Sequence, residues 1–343
     1  MTDPKTLRLA LVGYGGVGRA LAELLHAREK TQGNRFCVVG VTDLRFGSAF
    51  APAGLSLSAL AAMGSESGAL NGLPGASRID NEALAASDVV DVLVEASFTD
   101  VVDGEPALSL CAMALAAGKS VATTNKGPVT FGLARLDALA KARGVLFRFE
   151  GAVMSGTPVL RTVRTCFPGA RFTGFRGILN GTSNYVLGRM EAGASLQDAV
   201  IEAQAAGYAE ADPTADLEGH DVRLKVAILA NSLLGTDIRP SDIPCRGIGA
   251  IDAQAVRSAP ASGLRWKLIG QAGWDEDGAL RASVETMLLP LADPLAAVTG
   301  ATNALSVMSE PLGATTIIGP GAGRVETAYA LLSDLIEIAG SMS

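Results

Sequence analysis

The stretch Leu9-Ala10-Leu11-Val12-Gly13-Tyr14-Gly15-Gly16-Val17-Gly18-Arg19-Ala20-Leu21 decides the fold. Leu9 to Val12 is a short apolar run of strand type, and Gly13, Gly15 and Gly18 follow it at the spacing G-x-G-x-x-G as a helical pattern opens at Val17. In a strand-turn-helix unit each glycine has a separate task. Gly13 permits the tight turn, Gly15 lets a pyrophosphate approach the backbone, and Gly18 lets the helix pack closely on the strand. The helix amino end, with its free N–H groups and positive dipole end, then faces the phosphates. A purely structural glycine turn can share this spelling, so the surrounding chain has to support the reading.

It does so by alternation. Phe36 to Thr42, Val89 to Val94, Ser120 to Thr123 and Val145 to Phe149 read as further strands, with helices at Val17 to Glu29, Pro106 to Ala117 and Val129 to Arg143. Gly118 and Gly144 stand where left-handed residues end helices. The fold class expected is α/β, a Rossmann-type doubly wound parallel sheet. Phe46 to Ser77 carries one charge, Glu66, and is rich in Ala, Gly, Ser and Leu, so it reads as a mobile loop holding one short helix.

The rhythm changes after Glu150. Ser195 and Asp198 open a helix that Gly207 ends, and Val222, Val226, Leu229 and Leu233 form one stripe of a helix from Glu218 to Leu234. Strands are expected at Gly174 to Leu179, Leu280 to Leu289, Ala304 to Met308 and Thr315 to Ile318. These elements form a second, mixed α+β domain over residues 151–319. The first domain spans residues 1–150 and is completed by a C-terminal helix within 320–343 that packs back on it.

Composition narrows the function. The 343 residues carry 28 basic and 35 acidic side chains, a net charge of -7, which argues against a phosphate backbone as partner. No stretch suits a membrane span, and the start lacks the basic, apolar and cleavage regions of a signal peptide, so a cytoplasmic protein is expected. Cys37, Cys111, Cys166 and Cys245 are scattered and read as reduced packing residues. His26 and His220 read as structural, since no second His or Cys completes a transition-metal site.

The candidate cofactor contacts lie at strand ends. Asp43 closes the second strand and can accept from two ribose hydroxyls, favouring NAD, while Arg45 could pair with the 2′-phosphate of NADP, so both nucleotides stay open. Glu95-Ala96-Ser97-Phe98-Thr99 and Thr123-Thr124-Asn125-Lys126 stand at the ends of later strands, and Lys126 is the more informative as a cation entering a binding cleft.

A second constellation crowds Glu210, Asp212, Asp216, Asp221 and Lys225 together. Asp221 and Lys225 are four apart on a helix, hence on one face, beside the apolar stripe. A lysine poised there can give a proton to a carbonyl oxygen during hydride transfer; the plain alternative is a surface ion pair. Asn180-Gly181-Thr182-Ser183-Asn184 offers hydroxyls and N–H groups to a polar substrate, or is an ordinary N-cap. Glu150 to Pro158 is a tight Gly-rich turn whose carbonyls could hold a hard cation.

With those residues in place, the chain resembles the homoserine dehydrogenase family over nearly its whole length. The matching blocks are Gly13 to Gly18, Gly104 to Leu108, Thr124 to Pro128, Glu150 to Pro158, Gly177 to Tyr185, Gly207 to Pro213, Gly219 to Lys225 and Gly319 to Gly323. The resemblance implies NAD(P)-dependent, reversible reduction of L-aspartate 4-semialdehyde to L-homoserine, within threonine and methionine biosynthesis. It implies Lys225 as proton donor and acceptor with Asp221 beside it, Lys126 between cofactor and substrate, and Glu210 on the substrate amine with Asp216, Thr182 and Gly181 nearby. Gly13, Gly15, Gly16, Val17, Gly18, Asp43, Arg45, Ser97, Thr99, Thr124, Asn125, Lys126 and Gly321 are the implied cofactor contacts. Glu150, Val153, Ser155 and Thr157 would bind a monovalent cation, commonly sodium, through main-chain carbonyls, and a homodimer is implied.

The chain departs from the family at Arg324-Val325-Glu326-Thr327, where many members carry small residues and a proline. There is no room for an appended regulatory domain, so threonine feedback through one is not expected. The competing readings are a related Rossmann amino-acid oxidoreductase, disfavoured by the Gly207 to Lys225 block, and a non-catalytic nucleotide-binding sensor, which would have no use for Lys225, Glu210 and Lys126 together.

Overall fold

Two parallel crossovers on the first strand set the architecture of the amino-terminal half in this computed structural model, which describes residues 6–32 and 35–342. Met1 to Lys5 and Ser343, which the expected domain bounds include, lie outside the described residues. The first sheet consists of β1 (Leu7–Val12), β2 (Phe36–Asp43), β3 (Gly47–Phe50), β4 (Val92–Glu95), β5 (Ser120–Thr123) and β6 (Phe147–Arg148) in the order β3-β2-β1-β4-β5-β6. Every pairing is parallel except that of β2 with β3. The order reverses direction at β1, and that switch point is where open α/β sheets bind ligands.

Leu9, Leu11, Val38, Val41, Val92 and Val94 share a buried cluster with Ala20, Leu21 and Leu25 of the helix Gly16–Gln32. The helix Arg324–Ser341 joins the same cluster through Ala328, Leu331, Leu335 and Ile338. One compact unit accordingly ends at Gly156 and resumes at Gly323, while Thr157–Ala322 forms the other.

The segment after β2 departs from the sequence reading. The expected short helix is present at Leu57–Ala61, and the segment adds the edge strand β3 and a 3-10 turn at Ala69–Gly72. Its Leu55, Leu57, Leu60 and Leu70 are buried in the main cluster. Isolated leucines among Gly and Ser carry no clear period, yet each can fill a core position.

The second unit holds an antiparallel-rich sheet of β7 (Arg171–Ile178), β8 (Leu264–Trp274), β9 (Leu280–Pro290), β10 (Thr302–Glu310) and β11 (Gly313–Pro320), ordered β11-β10-β7-β8-β9. β8 is absent from the sequence reading. It pairs with β9 along its whole length, and its Gly270 lets the helix His220–Leu234 approach, since a side chain there would meet Val222 and Val226. That helix starts two residues later than expected because Gly219 is left-handed, at φ 79°.

The cysteines are unpaired, and Cys166 is exposed rather than packed, which corrects the reading of all four as packing residues. Among the described residues no helix is long and apolar enough to cross a membrane.

Candidate active site

The turn from Gly13 to Gly18 has the three-glycine geometry its spelling requires. At Gly13, with φ 92°, a side chain would lie 2.5 Å from the Ala96 carbonyl, and at Gly18 one would lie 2.4 Å from the carbonyl oxygen of Gly13. At Gly15 a side chain would meet nothing within 4 Å. Two glycines thus close the turn and the third leaves it open to an incoming group, a cradle that suits a diphosphate. Gly16 and Val17 begin the helix, whose first turn holds no acid to compete for that group.

Asp43 ends β2 with its carboxylate already organised. Oδ2 accepts from the Tyr14 N–H at 2.7 Å, and Oδ1 accepts from the N–H groups of Arg45 at 2.8 Å and Phe46 at 3.0 Å. The carboxylate is therefore fixed beside the glycine turn with lone pairs to spare. The Arg45 guanidinium lies over the Phe46 ring at 5.2 Å and donates to the Ser65 carbonyl at 3.0 Å. Arg19 stacks on the same ring at 4.3 Å and donates to the Gly64 carbonyl.

The strand ends β4 and β5 are tied by the buried carboxylate of Glu95, which the sequence reading placed among the strand-end residues of the cofactor cleft. Glu95 accepts from the Ser97 N–H at 2.9 Å, from the Ser97 hydroxyl and from the Thr123 hydroxyl at 2.9 Å. Burial pushes its carboxyl above the ordinary carboxylate range, and these hydrogen bonds pull the other way. An acid closing the apolar run Val92 to Val94 was the signal available. Asn125 donates to the Phe98 carbonyl at 2.9 Å and caps the helix Lys126–Arg143 by accepting from the Gly127 N–H. Lys126 is the first residue of that helix, where the dipole disfavours a cation, and Thr124 packs beneath Gly151. Thr99 is half-buried in the loop after β4.

The turn after β6 is unusual. Ser155 adopts φ 51° and ψ -125°, a conformation that side chains rarely take, and its hydroxyl meets that of Thr327 at 2.8 Å. Glu150 and Val153 are buried in the same turn, and the Glu150 N–H donates to Asp334 at 3.0 Å. Among the described residues no cluster of His, Cys, Asp or Glu suits a metal ion, so any cation here would rest on carbonyls.

In the second unit, Thr157 is buried, and its hydroxyl donates to the Pro320 carbonyl at 2.8 Å. A side chain on Gly321 would overlap the buried amide of Asn303. The polar cluster forms where β7 passes into the helix Gly181–Glu191. Lys225, only 6% exposed, donates through Nζ to the Leu179 carbonyl at 2.6 Å and to Asp221 Oδ2 at 2.7 Å. Asn180 caps the helix through its side-chain oxygen, and its Nδ2 donates to Asp216 at 2.7 Å and Asp221 at 3.0 Å. One amide thus brings together two carboxylates that the sequence separates by five positions. Burial raises the Asp216 carboxyl, the Asn180 hydrogen bond lowers it, and Asp221 nearby raises it again.

Thr182 donates to the Tyr208 carbonyl at 2.5 Å, which ties the helix start at Gly181 to the loop carrying Glu210. Glu210 itself is exposed, and among the described residues its carboxylate has no hydrogen bond or ion pair. What the cluster offers chemically is a buried ammonium held by a carboxylate and a carbonyl, with a second carboxylate, Asp216, on the same Asn180 amide.

Residues 158–336 match the family model described as homoserine dehydrogenase. The chain is 52% identical over 337 residues, 96% of either chain, to an NAD(+)-dependent homoserine dehydrogenase of Pseudomonas canavaninivorans. It superposes with a TM-score of 0.82 and 32% identity on a homoserine dehydrogenase from Thiobacillus denitrificans, covering 98% of this chain and 73% of that one. A hyperthermophilic archaeal homoserine dehydrogenase in complex with NADPH gives a TM-score of 0.81 at 28% identity, with 97% of each chain covered.

Proposed function

The chain belongs to the homoserine dehydrogenase family and catalyses NAD(P)-dependent interconversion of L-aspartate 4-semialdehyde and L-homoserine, and from that premise we propose how its residues divide the work. The observation that carries the assignment is the buried Lys225 ammonium between Asp221 and the Leu179 carbonyl. In the reducing direction Lys225 gives a proton to the carbonyl oxygen of the semialdehyde, and in the oxidising direction it takes the hydroxyl proton of homoserine. Asp221 and the Leu179 carbonyl hold the ammonium in place and offset its charge. When bound, a nicotinamide would supply the hydride in reduction and accept it in oxidation.

Glu210, exposed and unengaged, meets the substrate amine, and Asp216 with Gly181 and Thr182 completes the polar surround. Gly13 to Gly18, Ser97, Thr99, Thr124, Asn125, Lys126 and Gly321 serve the dinucleotide. We infer that NAD is the preferred nucleotide, because Asp43 is fixed with lone pairs available while Arg45 is tied to Ser65. The relative from Pseudomonas canavaninivorans is named for NAD(+), which supports this reading. Homoserine oxidation with NAD and NADP side by side is the test: no homoserine-dependent reduction of either would overturn the assignment, and a preference for NADP would overturn the role of Asp43.

The strained Ser155 turn supports a monovalent cation on the carbonyls of Glu150, Val153, Ser155 and Thr157. Activity compared in sodium and choline chloride at equal ionic strength tests it. A homodimer is inferred from the second unit, where Trp274 and Leu280 pair across β8 and β9 beside an open cavity of about 660 Å³ also lined by Phe175 and Met308. Light scattering that finds only monomer would remove this inference. A cytoplasmic location accords with these small-molecule substrates.

A further inference from the structure

Arg324 is the first residue of the helix Arg324–Ser341. Its surroundings are set by packing. Ala20, Leu21 and Leu25 share a buried cluster with Ala328, Leu331 and Leu335, so the helix Gly16–Gln32 and the C-terminal helix are held together near their starts. A side chain added to Gly16 would lie 3.2 Å from Cδ and 3.4 Å from Cγ of Arg324, which places the arginine stem directly across the cofactor turn. Gly15, one residue earlier, faces open space.

The guanidinium is exposed, and among the described residues it has no hydrogen bond or ion pair. The carboxylate closest in sequence, Glu326, folds back toward Gly323 instead of pairing with it. A cation at the amino end of one helix and beside the amino end of another sits in an unfavourable field unless an anion is present. The arrangement therefore gathers positive potential, from two helix starts and one planar cation, around the open side of the glycine turn.

We propose that Arg324 is a cofactor-binding residue that clasps the diphosphate of the dinucleotide from the side opposite the glycine backbone. The guanidinium can offer two parallel N–H donors to phosphate oxygens, which a lysine or a small residue at this position could not reproduce. The proposal rests on the reading of Gly13 to Gly18 as the cofactor turn, so its test uses probes that report on the diphosphate alone. ADP carries the diphosphate and adenosine lacks it.

The experiment is calorimetric titration of ADP and of adenosine into wild-type protein and into Arg324→Ala, Arg324→Gln and Arg324→Lys, with circular dichroism to show that each is folded. Arg324→Ala and Arg324→Gln should bind ADP about tenfold more weakly, the scale of a hydrogen bond to a charged group, with adenosine affinity unchanged. Arg324→Lys should recover part of the loss, and the differences should shrink at ~0.5 M salt. Wild-type affinity for ADP in both truncating variants would overturn the proposal, as would equal losses for ADP and adenosine. If the wild-type chain bound adenosine but gained nothing from the diphosphate, the glycine-turn reading would fall and the proposal with it.

Discussion

Replacing Lys225 with methionine keeps the buried stem and removes the ammonium, which separates proton transfer from packing. The side chain is 7% exposed and Asp221 is 15% exposed, so the pair is close to a buried one, and removing one partner of such a pair costs about 3–5 kcal/mol. The lower end applies, because Asp221 keeps the Asn180 Nδ2 donor at 3.0 Å. Loss of a general acid or base costs roughly 10²- to 10⁴-fold in turnover. Expressed as a barrier this is about 2.7–5.4 kcal/mol at 1.36 kcal/mol per decade.

The two costs can be told apart with a second substitution. Adding Asp221→Asn to Lys225→Met removes the stranded carboxylate, and the double variant should regain most of the lost stability in urea while turnover stays low. The assay is initial-rate homoserine oxidation at saturating NAD, alongside direct binding of ADP, which should be unaffected. Turnover of Lys225→Met within a few-fold of wild type would refute the acid-base role. Recovery of turnover in the double variant would instead make the lysine a purely structural partner of Asp221.

The glycine turn predicts a contrast: Gly15→Ala should fold normally but raise the KM for NAD, whereas Gly13→Ala, with φ 92° and a carbonyl 2.5 Å away, should lower the thermal midpoint by several degrees. Asp43→Asn should reduce kcat/KM for NAD relative to NADP, because an amide offers one accepting oxygen where the carboxylate offers two; an unchanged ratio would show that another group reads the ribose. Lys267, buried on β8 with its ammonium on Asn184 and Val298, is pushed by burial down to about 8 from the ordinary 10.5. Its folded value lies below its unfolded one, so between about pH 8 and 10.5 the unfolded chain binds more protons and stability rises with pH. Urea titrations of wild type and Lys267→Met across that window should differ in slope, and parallel curves would contradict the shift.

Much of the nucleotide-binding half was legible in the chain because local physics writes it there. The strand-turn-helix spelling around Gly13 to Gly18, the left-handed stops at Gly118 and Gly144, and the alternation through Ser120–Thr123 each follow from conformational preference or from a period of burial. The four-residue spacing of Asp221 and Lys225 was likewise enough to place both on one helical face. β8 was harder, since Leu264–Trp274 mixes Arg265, Lys267 and Gln271 with its apolar residues, and those polar groups are satisfied only by partners such as Glu191 and Asn184 far along the chain.

Other features belong to three dimensions alone. The leucines between Leu55 and Leu70 read as loop residues until they meet a core, and Arg45 looked free until Ser65 folded back onto it. Asn180 could be read as a helix cap, and it is one, yet its amide also gathers Asp216 and Asp221. Arg324 and Gly16 are more than 300 positions apart, and only the packing of two helices sets one across the other. The sequence by itself determined most of the helices and parallel strands and the glycine turn at Gly13 to Gly18, because backbone preference and periodicity are local. The tertiary structure decided which polar groups are paired, how deeply each is buried and which remain available to a ligand, because those depend on neighbours that only the fold brings within a few ångströms.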